Sequence, residues 1–142
     1  MKSLGEVNAL ATPTITDPQT GIVYYVEAGA EPFDVVLTSG QELKDLSQYF
    51  PKDSLFLITG LAGTQTGAYQ IQLTLPDGKL LSSAAVRNAN LVGTGQFPTV
   101  TWPPIKVPQG GKIGINAIKD LSGAGNTIQL VFQGVRLFPM RG

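Results

Sequence analysis

From residue 33 onward the chain alternates apolar and polar side chains with a period of two, the spacing of a strand that buries one face and wets the other. The clearest instance is Tyr69, Ile71, Leu73 and Leu75 set against Gln70, Gln72 and Thr74. The same alternation predicts strands over 33–38, 99–102, 112–118 and 127–138. In the last of these Ile128, Leu130 and Phe132 are expected inward, with Gln129 and Gln133 outward. At 112–118 the expected inward set is Ile113, Ile115 and Ala117, and at 99–102 Trp102 falls in phase with Val100 and reads as core. Leu55-Phe56-Leu57-Ile58-Thr59 is a short continuous apolar run, which predicts a strand buried on both faces. Residues 41–49 are ambiguous, and Leu43 and Leu46, three apart, favour one helical turn over an irregular strand.

Turn chemistry separates these runs. Pro76-Asp77-Gly78-Lys79, Pro108-Gln109-Gly110-Gly111 and Ser122-Gly123-Ala124-Gly125-Asn126 each combine residues that preset or tolerate turn backbone. Seven or eight short strands follow, with no long helix and no internal repeat. The fold class this implies is all-β: a single β-sandwich, jelly-roll-like, with sandwich and jelly-roll topologies both left open by the pattern. Residues 1–32 look different, with Pro13, Pro18 and Pro32, a Thr-rich run at 12–16 and a turn signal at Asp17-Pro18-Gln19-Thr20-Gly21. They are expected to form an extended N-terminal arm leading into a domain over 33–142. Tyr24 and Tyr25 in the arm, and Tyr49 in the domain, are the candidate interaction residues, because an exposed tyrosine joins an apolar ring to a polar tip.

Composition adds one anomaly. At 142 residues the chain is one domain's worth, and 42% of it is hydrophobic, but only 14% is charged, against about 25% for an ordinary soluble domain. So little charge suits a surface that neighbours cover. Formal net charge is zero, which disfavours a nucleic-acid partner held by a basic field. Residues 1–71 nevertheless carry −5 and residues 72–142 carry +5. The halves either attract between copies or interleave in one sandwich and cancel. No run of apolar residues reaches the ~18 of a membrane span, and the first residues lack the apolar stretch of a signal peptide. A protein made in the cytoplasm, with no membrane partner, is the expectation.

Candidate chemistry is sparse. The absence of Cys and His removes thiolate sites and the commonest general base and metal ligand. Ser82 and Ser83 have no lysine directed at them by the pattern, and Asp34 reads as an outward strand residue rather than half of a carboxylate pair. Gly110-Gly111-Lys112 fails the phosphate-loop frame, since Lys106 occupies the first glycine position and a strand follows where a helix is required. Residues 120–126 offer a calcium ion one carboxylate, so a tight connection accounts for them better. The expectation is therefore no catalytic residues, no cofactor and no metal, hence no enzyme.

Several segments together, Pro32-Phe33-Asp34-Val35-Val36-Leu37-Thr38, Tyr69-Gln70-Ile71-Gln72-Leu73, Gly110-Gly111-Lys112-Ile113-Gly114-Ile115 and Asn126-Thr127-Ile128-Gln129-Leu130-Val131-Phe132, resemble small structural proteins of tailed-phage virions. The resemblance spans about residues 32–138 and lies in segment style and order, without a diagnostic motif. It implies a capsid decoration or cement protein, or a head–tail or collar component, located in the virion. Its partners would be the major capsid protein or other virion proteins, and it would form a homo-oligomer, often a trimer. The competing expectation is a carbohydrate- or receptor-binding β-sandwich module, marked by exposed aromatics near loops such as 60–67 and 88–96.

Overall fold

The computed structural model describes residues 14–140 of the chain. Nine strands and one short helix run in the order β1 (Thr14–Thr16), β2 (Val23–Leu37), β3 (Glu42–Tyr49), β4 (Leu55–Gly63), β5 (Tyr69–Thr74), β6 (Val86–Arg87), α1 (Asn88–Leu91), β7 (Thr99–Val107), β8 (Lys112–Asp120) and β9 (Asn126–Pro139). They form a five-stranded sheet, β1-β2-β9-β4-β7, and a four-stranded sheet, β3-β8-β5-β6. Every pairing between them is antiparallel, and β2 pairs with β9, β3 with β8, β4 with β7 and β5 with β6. The chain is thus one long hairpin, β2–β5 returning as β6–β9, rolled so that successive strands step between the two sheets. That is the double Greek key of a jelly roll, so the all-β sandwich expectation holds and the topology it left open is settled by the strand order. The acidic and basic halves of the chain interleave within both sheets.

The core lies between the sheets. Phe33, Leu37, Phe56, Ile58, Ile128, Leu130 and Phe132 face inward from the five-stranded sheet, and Tyr69, Ile71, Leu73, Ile113, Ile115 and Ile118 from the other. Phe50, on the β3–β4 connection, packs edge-on to Phe56 at 5.1 Å and against Phe132 at 5.9 Å between ring centroids.

The segment expected as an arm is different where it is described. Residues 23–32 are the first two-thirds of β2, and the ladder with β9 runs unbroken from Tyr24–Pro139 to Leu37–Asn126 across the expected boundary at residue 32. Pro32 is compatible with this because beyond Tyr25 the strand has β9 on one flank and no described strand on the other, and a proline at a sheet edge forfeits no ladder bond. The expected turn at 17–21 does form. The Gly21 amide donates to the Asp17 carbonyl, and the Gln19 amide to the Asp17 carboxylate. The part of the arm over 1–13 lies outside the described residues.

Two further departures share one cause. Residues 42–49 are strand, not helix, yet Leu43 and Leu46 both pack on the core. Asp45 between them has φ +57°, a left-handed step that resets the inside–outside alternation so that residues three apart share a face. On the neighbouring strand Ile115 and Ile118, also three apart, are both buried, and Ala117 is not. There the phase slips at a bulge, since Gln72 pairs with Ala117 but Leu73 with Ile115, leaving Asn116 unmatched. Asp45 and Asn116 occupy the same row of the sheet, so two strands change phase together and keep Leu43–Ile118 and Leu46–Ile115 as inward pairs.

Candidate functional site

The β7 edge of the five-stranded sheet is the most anomalous surface. Ile58 pairs with Ile105 and Gly60 with Val100, so residues 101–104 of β7 stand opposite Thr59 alone. This wide bulge contains Pro103 and Pro104, which cannot donate ladder bonds, and the Thr101 hydroxyl donates to the Ile58 carbonyl at 2.7 Å, filling part of the gap. Bulge and prolines blunt the edge against strand addition. What the edge presents instead is side chains: Trp102 is 83% exposed, Phe97 75% and Val100 74%. Single exposed apolar residues are ordinary on a protein surface, but three large ones on one strand and its approach form a patch of the kind that marks an interface.

Trp102 and Val100, expected in the core, are exposed. They do share a face, but it is the outer one. Period two fixes which residues lie together and not which side is wet, and the side follows from the bulge that follows Val100. The Pro103-Pro104 pair was the available signal, since consecutive prolines belong at an edge, where an aromatic next to them has no second sheet to cover it.

Beneath the ridge lies an open groove of about 750 Å³, running between β7 and the 75–81 turn segment. Leu61, Leu75, Leu81, Leu91 and Ile105 give it an apolar floor, and Asp77, Thr99, Thr101 and Lys106 are its polar side chains. The groove stays open because β6 is two residues long and the chain from Leu75 to Val86 makes a hairpin turn and one isolated bridge, Thr74–Leu80, rather than a covering strand. The turn at 76–79 forms as the sequence predicts, with the Gly78 amide donating to the Leu75 carbonyl and Gly78 at φ +88°.

The three tyrosines chosen from sequence are not brought together. Tyr24 is half-buried and Tyr25 exposed on β2, where they pair with Ile15 and Thr14 on one flank and Pro139 and Phe138 on the other. Tyr49, 65% exposed, ends β3 on the opposite sheet, with the Lys112 ammonium 5.9 Å from its ring centre. None of the three lines the β7 groove.

The buried Asp120 and Asn88 are satisfied internally, whereas the Ser54 hydroxyl and the Arg136 Nε find no hydrogen-bond partner among the described residues. The Asp120 carboxylate accepts from the Ser122 hydroxyl (2.6 Å) and amide (3.0 Å), the Gly40 amide (2.9 Å), the Gly125 amide (3.2 Å) and the Asn126 side chain (2.7 Å). Foremost the Ser122 hydroxyl, and then the Gly40 amide, hold its ionisation well below the usual carboxylate range. This is the structural role the sequence assigned to 120–126, a tight connection, extended to lock the β2–β3 turn as well. Asn88 is likewise buried; its side chain accepts from the Tyr69 amide (3.2 Å) and donates to the Gly67 carbonyl (3.1 Å), pinning α1 to the β4–β5 loop. Among the described residues no three acidic, His or Cys side chains gather in a way that could hold a metal ion.

No protein-family model matches this chain, and no curated protein matches it either.

Proposed function

We propose that this chain is a structural virion protein of a tailed phage, a capsid decoration or cement module that stabilises the head through subunit–subunit contacts made by the β7 ridge. One observation carries the reading: Val100 and Trp102 stand exposed on the wall of an open apolar groove, with Phe97 exposed on the approach to the same strand, along an edge that a bulge and two prolines blunt against strand addition. Such a surface gains by burial; about 25 cal/mol per Å² of apolar area favours covering it, and an aromatic anchor beside a pocket is the usual centre of a protein–protein contact. The low charge of the chain, 14% of residues, supports the same reading. A rigid sandwich with one sticky edge is what repeated contact in a symmetric lattice calls for, since weak contacts multiply when many copies are held together. A head–tail or collar position is a variant of this reading, with the same ridge as the contact.

Light scattering coupled to size exclusion tests it. The full chain is expected to form a discrete homo-oligomer at raised concentration, a trimer on the virion reading, and Trp102→Ser is expected to return it to a monomer. Truncation for the arm belongs at residues 1–13, because removal of 1–32 would also take away β1 and most of β2. A full chain that stays monomeric at every concentration removes the self-association on which the reading rests.

A further inference from the structure

The row where both strands change phase has a consequence on the solvent side of the four-stranded sheet. The left-handed step at Asp45 and the bulge at Asn116 bend β3 and β8 away from flatness at one level. Gly114 beside them has no side chain, and a Cβ there would sit 3.1 Å from Thr74. The result is a concavity of about 270 Å³, walled on one side by the 75–78 turn. Its polar groups are the Asp45 carboxylate, the Ser47 and Thr74 hydroxyls, the Asn116 amide and the Lys112 ammonium. Of these, only Asn116 makes a side-chain hydrogen bond to another described residue, donating to Gln72 at 2.6 Å, which leaves its carbonyl oxygen available. Lys112 forms no ion pair among the described residues and sits by the Tyr49 ring.

We infer that this concavity binds a neutral, hydroxyl-rich ring, a single sugar unit of a glycan. One acid and one base cancel, so neither an anion nor a cation is favoured over a neutral ligand. Acceptors (Asp45, Asn116) and a donor (Lys112) line it together with two hydroxyls able to act as either, and vicinal hydroxyls of a sugar need that mixture. The volume lies just below the ~300–1,000 Å³ typical of drug-sized ligands, which suits one ring rather than a chain of them. The site lies on the four-stranded sheet and does not include Phe97, Val100 or Trp102, although Leu75 and Pro76 of the 75–78 turn wall both it and the β7 groove.

The test is a titration of the full, ¹⁵N-labelled chain with glucose, galactose, mannose and N-acetylglucosamine, followed by amide chemical shifts. At least one is expected to give saturable shifts at Asp45, Ser47, Gly78, Gly114 and Asn116, with a Kd on the order of 1–10 mM. Asp45→Asn keeps a residue that tolerates left-handed backbone and removes the charged acceptor; it should weaken binding about tenfold. Trp102→Ser, which addresses the assembly surface, should leave these shifts unchanged. Absence of saturable shifts with all four sugars, equal binding by Asp45→Asn, or shifts centred on Trp102 would each overturn the inference.

Discussion

The Asp120 knot and the β7 ridge are opposites. At the knot a charged group is buried, and five hydrogen-bond donors from two segments, the β2–β3 turn and residues 122–126, converge on it. At the ridge three large apolar groups are exposed, and no described residue covers them. Burying a charge without partners is costly, and so is wetting an apolar patch. The first cost is met within the chain; the second is not. One part of the molecule is thus complete within the chain, and the other is the part that, under the proposed assembly, gains from a neighbour. Substitutions on the first should lower stability, and substitutions on the second should alter association while leaving stability alone.

The largest effect on the self-sufficient side is expected at Gly134, where a Cβ would collide with the Leu57 carbonyl of β4. Gly134→Ala should cost at least ~3 kcal/mol or prevent folding, as read by thermal melting or by loss of soluble protein. Asp120→Ala comes next, with Tm lowered on the order of 10 °C as the β8–β9 loop and the Gly40 turn lose their shared acceptor. The same residue makes stability depend on pH. Its folded-state ionisation is depressed, so its contribution is present above the unfolded value of 3.8 and is lost as pH falls below that. A plot of Tm against pH should therefore drop on the acid side below about 4, and Asp120→Asn should flatten that limb. Smaller again is Tyr69→Phe. The buried hydroxyl donates to the Thr64 carbonyl at 2.9 Å, and burial pushes its ionisation up to about 12. Its loss should cost about 1 kcal/mol, and the latest step of the ultraviolet phenolate titration should vanish with it.

On the other side, Phe97→Ser combined with Trp102→Ser should change Tm by less than about 2 °C, because exposed side chains contribute little to folding. A large destabilisation by this pair would show that the ridge belongs to the fold after all, and the contrast would collapse.

Much of the architecture was legible in the sequence because alternation is a local property. Tyr69, Ile71 and Leu73 against Gln70 and Gln72, and Ile128, Leu130 and Phe132 against Gln129, needed nothing beyond period two, and all six apolar residues are buried. Two expectations fail where that period is interrupted. Asp45 and Asn116 each shift the phase, so Leu43 with Leu46 imitated a helix and Ala117 was preferred to Ile118. The boundary at 32 follows the onset of clear alternation at residue 33, whereas β2 already begins at Val23 and, as an edge strand, accommodates Pro32. The ridge was missed because no local pattern says which face of an edge strand its neighbours leave open. That depends on β6 being short, and β6 is short because 75–85 is spent on turns.

The measurement that bears most directly on the central claim is the mass of the full chain in solution over a range of concentrations, beside that of the Trp102→Ser variant. The account predicts a discrete oligomer for the parent chain and a monomer of unchanged Tm for the variant. An oligomer that survives Trp102→Ser undiminished, or a parent chain that never leaves the monomer, would contradict it.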